Sequence, residues 1–136
     1  MTDASLSCTF SEVVEAIARR VALIKYRYRI TGREAGFDTQ KAKTWLDVKV
    51  MPGATLLKEI GAGARPRRTG VIDIDIHGTI GGGMKELYAI ADALAGIFEY
   101  KEEGRVSFRE ASLQNKGIDL STQMSTMTVT VPYYSD

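Results

Sequence analysis

The segment Val71-Ile72-Asp73-Ile74-Asp75-Ile76-His77 constrains the fold most, because side chains alternate across an extended chain. Its isoleucines share one face and Asp73, Asp75 and His77 share the other. Such a strand has one face to bury and one that water can wet, as in an antiparallel sheet covered on a single side. Trp45 to Met51 follows the same rule, with Leu46, Val48 and Val50 opposite Asp47 and Lys49. Near the C-terminus, in a run from about Leu120 to Val131, Met127, Val129 and Val131 alternate with Thr126, Thr128 and Thr130. Val106 and Phe108 mark a further strand, and Pro132 is expected to end the last one or mark an edge.

Two amphipathic stretches can cover the apolar face. Thr9 and Glu12 form a capping box, and Phe10, Val13, Val14, Ile17, Val21 and Ile24 recur at helical spacing, which predicts a helix to about Tyr28. Leu87, Ile90, Ala91, Leu94, Ile97 and Phe98 predict a second helix from about Met84 to Tyr100. Between these elements, Thr31 to Thr44 reads as a flexible loop (31–44), Pro52-Gly53 as a turn, and Ala54 to Ile60 as a short strand. Gly61 to Gly70 reads as a basic loop (61–70), and Asn115-Lys116-Gly117 as another turn. The order of helix, strands, helix, strands gives an α+β fold: an antiparallel-rich sheet of four to six strands, mixed pairing admitted, with two main helices packed on it. With 136 residues and no shift in composition, residues 1–136 form a single domain.

Hydrophobic residues at 44% and charged residues at 26% describe a chain that folds, and a formal charge of +1 provides no long-range attraction for nucleic acid or an anionic membrane. Cys8 and His77 are each the only residue of their type, so no Cys/His zinc cluster and no intrachain disulfide can form. No apolar run approaches the roughly 20 residues of a membrane span. Met1-Thr2-Asp3-Ala4 lacks the basic start of a leader, which points to synthesis in the cytoplasm.

Known chemical motifs are incomplete. Gly61-Ala62-Gly63 has neither the Lys-Ser/Thr of a phosphate-binding loop nor the strand-turn-helix setting of a dinucleotide site. Gly81-Gly82-Gly83 before the second helix could hold an anion, although three glycines also make an ordinary permissive turn. Asp73, Asp75 and His77 could bind a metal or share a proton, against the plainer reading of a wet sheet face. No catalytic residue and no cofactor is assigned. Arg65, Arg67 and Arg68 form the one dense basic segment and are the candidate subunit or partner interface, since guanidinium groups pair with carboxylate or phosphate. Few aromatics lie among them, so a stacking platform for single-stranded nucleic acid is absent.

The order of these features resembles a family of phage proteins. A strand Trp45 to Met51 ends in Pro52-Gly53 and leads to Arg67-Arg68-Thr69-Gly70 and an apolar strand. Gly81-Gly82-Gly83, a helix with Ala91-Asp92-Ala93-Leu94 and Phe98, and the closing Val129-Thr130-Val131-Pro132-Tyr133 follow, so that the likeness spans about residues 10 to 134. This pattern is similar to the tail terminator-like proteins of long-tailed phages. The resemblance implies a non-enzymatic protein that forms a ring, typically a hexamer, caps the tail tube and presents the head-tail joining surface. It implies as partners other copies of the chain, the tail tube protein and the head-tail connector protein, with no membrane and no sequence-specific nucleic acid. A monomer in dilute solution is compatible with this, since the ring can close on the growing tail. It implies residence in the host cytoplasm during assembly and then in the virion tail. The alternative is a small-ligand or metal-binding domain, or an enzyme, built on Asp73, Asp75, His77 and the Gly81 to Gly83 turn.

Overall fold

A computed structural model describes residues 9–24, 27–30, 44–57, 66–79, 84–119 and 124–135. Helix α1 covers Phe10–Val21 and helix α2 covers Met84–Phe98. The strands are β1 (Arg27–Ile30), β2 (Thr44–Leu57), β3 (Pro66–Thr79), β4 (Glu102–Glu103), β5 (Val106–Phe108), β6 (Ser112–Asp119) and β7 (Met124–Ser135). They form one sheet in the order β1-β2-β3-β7-β5-β4, with β6 also paired to β7. All pairings are antiparallel except β1 with β2. The fold is therefore the α+β arrangement expected, with six strands of three residues or more and the two-residue β4 beside them. No helix among the described residues is long and apolar enough to cross a membrane.

The core lies between one sheet face and the two helices. Cross-strand rows Leu46, Ile76, Met127 and Val48, Ile74, Val129 run through β2, β3 and β7. They join Val13, Ile17 and Val21 of α1 and Leu87, Ile90, Leu94 and Phe98 of α2 in one buried cluster. The N-cap predicted at Thr9 is present, its hydroxyl accepting from the Glu12 amide at 3.1 Å. At Gly78 a Cβ would lie 2.6 Å from Leu87 Cδ2, so the missing side chain is what lets α2 lean onto β3.

Several boundaries differ from the sequence reading. Helix α1 ends at Val21 rather than near Tyr28, and Arg27–Ile30 forms β1, where Ile30 is buried beside its register partner Val48. Burial of Ile30 in the sheet outweighs the helical spacing that Ile24 continues. Pro52-Gly53 lies inside β2, at a register shift between Pro52 and Thr55 that reconciles proline with a strand. Asn115-Lys116-Gly117 is an irregularity within β6, where Gly117 takes φ +94° and donates its amide to Asn115 Oδ1 at 2.8 Å. Pro132 does not end β7, which continues to Ser135. Its carbonyl accepts from the Arg109 amide at 2.8 Å, on the side away from β3. In an antiparallel strand the N–H of that residue would point the same way, so the proline removes no bond from the β3–β7 ladder. It sits where β7 exchanges β6 for β5 as its neighbour. Of the predicted loop at 31–44, only Thr44 is described, as the start of β2. Of the basic loop at 61–70, residues 66–70 belong to β3 and the rest lies outside the described residues.

Arg20 ties the helical layer together. Its Nε and Nη2 donate to the Ile97 carbonyl at 2.8 and 2.6 Å, and Nη1 lies 3.5 Å from Glu103. The last turn of α2 carries no basic residue of its own, so Arg20 brings a positive charge to the negative end of that helix dipole. Arg20→Ala is expected to cost about 1.5–3 kcal/mol, the range for hydrogen bonds to a charged group, read as a shift of the urea midpoint. Arg19, more exposed and paired with Glu103 at 3.1 Å, should cost below about 1 kcal/mol when changed to Ala. Equal losses for the two variants would remove this account.

Candidate functional site

The sheet face opposite the helices carries Arg67, Asp73, Asp75 and His77. Along β3 it presents Arg67, Thr69, Val71, Asp73, Asp75 and His77 in turn. From β2 it receives Lys49 beside Asp73, Asp47 beside Asp75 and Trp45 beside His77. From β7 it receives Thr130, Thr128 and Thr126 beside the same three residues.

At one end this face is a polar lattice. Asp75 accepts from Lys49 Nζ at 2.8 Å through Oδ2 and from Thr128 at 2.7 Å through Oδ1. Asp73 accepts from Thr130 at 2.7 Å. The His77 ring stacks on Trp45, with centroids 4.3 Å apart and planes 23° from parallel, and its Nδ1 lies 3.1 Å from the Thr126 hydroxyl. The ligand atoms of Asp47, Asp75 and His77 all lie within 4.8 Å of one another, so the triad that geometry assembles contains Asp47 in place of Asp73. Asp47 is itself buried. Its alternation with Trp45 and Lys49 already placed it on this face, but nothing in the sequence showed which strand would lie beside β3. With both Asp75 oxygens engaged by Lys49 and Thr128, the arrangement is a cross-strand clamp of charge-assisted hydrogen bonds.

Burial pushes the Asp75 carboxyl upward, but the Lys49 and Thr128 hydrogen bonds and the Lys49 and His77 charges outweigh it and hold it below the usual carboxylate value. The bond to Asp75 holds the Lys49 ammonium above its ordinary value against a smaller loss to burial. A lowered Asp75 stabilises the fold above the unfolded carboxylate pKa, near 3.8, and that contribution disappears as pH falls through the folded value. Lys49 contributes below its unfolded value of 10.5 and loses its contribution as pH rises through its folded value. Asp75→Asn should therefore cost about 1–3 kcal/mol at neutral pH and progressively less below about pH 4. Urea midpoints for both proteins across pH 2.5 to 7 check this, and a gap that stays constant through acid would contradict it.

The other end of the face is largely apolar, with two arginines, Arg67 and Arg109, and one carboxylate, Glu110. Met51, Pro52, Val71, Arg67, Arg109 and Tyr134 line an open groove of about 790 Å³. The Arg67 guanidinium lies over the Tyr134 ring, 4.5 Å from its centroid. Arg68 is turned to the helix side of the sheet, with its guanidinium 4.3 Å from the centroid of the Phe10 ring. Adjacent strand positions send the two arginines to opposite faces, so they do not form one basic arm. Arg65, Cys8, Gly61-Ala62-Gly63 and Gly81-Gly82-Gly83 lie outside the described residues. The stacking partners Phe10 and Tyr134 were not linked to the arginines by sequence reading, since each contact joins residues far apart in the chain.

A sequence model of the family described as phage tail terminator protein matches residues 12–133. A solved structure 18% identical in sequence superposes with a TM-score of 0.69, over 94% of this chain and 96% of its own. At that identity the likeness shows the fold alone. No curated protein matches the sequence.

Proposed function

Because the chain belongs to the phage tail terminator protein family, we propose that it caps the tail tube as a ring and forms the surface to which the head is joined. The family is one of structural tail proteins rather than enzymes, and its members reside in the virion tail. The observation that carries the proposal is the family match over residues 12–133, which takes in α1 from Glu12, α2, strands β1 to β6 and β7 as far as Tyr133. The partners in this reading are further copies of the chain, the tail tube protein and the head-tail connector protein. A ring requires contacts that close by rotation, with a different surface on each side of the subunit. The arginine segment assigned as an interface divides in this reading. Arg67 on the open face is the interface residue, and Arg68 holds α1 through Phe10.

The test is the mass of the purified chain across a wide concentration range, with and without tail tube protein, together with imaging of tube ends. A discrete ring, free or at tube ends, is the expected result. A chain that neither forms rings nor occupies tube ends at any concentration would end the proposal. The metal-binding alternative predicts a raised melting temperature in added zinc. The Lys49–Asp75 pair at 2.8 Å leads us to expect no rise.

A further inference from the structure

We propose that the C-terminal turn of α2 is a strained catch for β6: Glu99 and Tyr100 hold the two residues that lead into the strand, and β6 leaves β7 when that catch lets go. The device belongs to the single subunit, so it stands or falls apart from ring closure.

The chain turns from α2 towards β4 through Tyr100, whose φ of +57° makes it the one non-glycine residue in the left-handed region among the described residues. Glycine commonly fills such a position after a helix end, because a Cβ there crowds the backbone. Tyrosine brings strain with little burial, since Tyr100 is 70% exposed. What it adds is a hydrogen bond from its hydroxyl to the Glu110 carboxylate. One residue earlier, Glu99 Oε2 accepts from the Ala111 amide at 2.9 Å. Two consecutive residues at the helix end thus grip two consecutive residues just ahead of Ser112, where β6 begins.

On the near side of this grip the chain is fixed. The Phe108 amide donates to the Lys101 carbonyl at 2.9 Å, the Arg109 amide donates to the Pro132 carbonyl at 2.8 Å, and Val106 and Phe108 are buried. On the far side Ser112 to Gly117 are all exposed, and the ladder to β7 is irregular between Asn115 and Gly117. Burial therefore contributes little to holding Ser112 to Gly117, which leaves the ladder and the catch to hold them. Opening lets Tyr100 return to an ordinary backbone conformation, so its strain opposes the two contacts and sets the catch nearer to release. Release uncovers the edge of β7 from Met124 to Thr130 and moves Glu110, which lines the open groove.

The experiment is residue-resolved amide hydrogen exchange of the full chain alone, with urea unfolding beside it. In the wild type the amides that bond β6 to β7 are expected to exchange at least about ten-fold faster than those of Ile72 to Ile76 in β3. Tyr100→Phe deletes the hydroxyl and keeps the strain, and Glu99→Ala deletes the acceptor for Ala111. Each contact is broken both when β6 opens and when the whole chain unfolds. Either variant should therefore speed the β6 amides and the β3 amides by the same factor, at least about three-fold. β6 amides that keep the wild-type rate in either variant would show the strand opening with the catch closed, and would overturn the proposal. Tyr100→Gly removes hydroxyl and strain together, so its β6 amides should exchange more slowly than those of Tyr100→Phe. Exchange as fast or faster in the glycine variant would equally overturn a strained catch. All three changes lie at the surface end of α2, and the urea transition establishes that each variant is folded. Because no tube protein enters the experiment, its outcome is separate from that of the ring reading.

Discussion

Phe98→Ala is expected to remove about 3–5 kcal/mol of stability, the cost of deleting a large aromatic from a core that collapses only partly around the space. Phe98 is fully buried at the end of α2 and meets Phe108 of β5 edge-on, with ring centroids 5.0 Å apart. The ring therefore joins the helical layer to the short strand that flanks β7. Its loss removes burial, a favourable aromatic geometry and the anchor for β5 together. Domains of this kind are stable by only about 5–15 kcal/mol, so the variant should lose a large share of its margin. Urea unfolding measures the change directly. Phe10→Ala is the companion variant, because Phe10 is 51% exposed and meets Arg68 mainly through its ring face. It should lose far less, and similar losses for the two would contradict this view of the core.

The second large effect is at Gly70. A Cβ there would fall 2.5 Å from the Tyr133 hydroxyl oxygen, 2.6 Å from Cζ and 2.7 Å from the Met51 carbonyl oxygen. Tyr133 is buried and paired with Gly70 across the β3–β7 ladder, so its ring occupies the space that glycine leaves. Met51 presents backbone, which cannot rotate away. Gly70→Ala should cost about 3 kcal/mol, the upper part of the range for overpacking. At Gly78 the single severe contact is with the mobile end of Leu87, and alanine should cost about 1 kcal/mol. Gly96 in α2 has open space where its Cβ would go, and alanine there should stabilise by about 0.5–1 kcal/mol. The order of the three melting temperatures is the readout. A Gly70→Ala protein as stable as Gly78→Ala would show that β2 yields at Met51 after all.

The layering was legible in the sequence because it rests on local periods. The isoleucines at 72, 74 and 76 and the helical spacing of Leu87, Ile90 and Leu94 each report burial directly, and all six are in the core. Long-range pairing was not legible. Whether Asp75 would face Asp47, and whether Arg67 would meet Tyr134, depends on strand register and order, which no single segment records. Turn chemistry misled where the fold absorbed it. Pro52-Gly53 and Asn115-Lys116-Gly117 have the composition of turns, yet both serve as irregularities inside strands. Arg67 and Arg68 read as a basic loop because three arginines outweigh a short apolar context. Pairing with β2, and of Arg68 with Ser135 of β7, makes them residents of β3 instead.

The exchange of neighbours at Pro132 divides the edge of the sheet into two parts that can open independently. β5 holds Val106 and Phe108 in the core, whereas β6 pairs, among the described strands, only with β7 and leaves Leu113 45% exposed. β5 and β6 do not pair with each other and meet only through β7, so detaching β6 breaks one ladder. Among the described strands, β6 is thus expected to open before the β3–β7 pair, at an edge where another strand could be received.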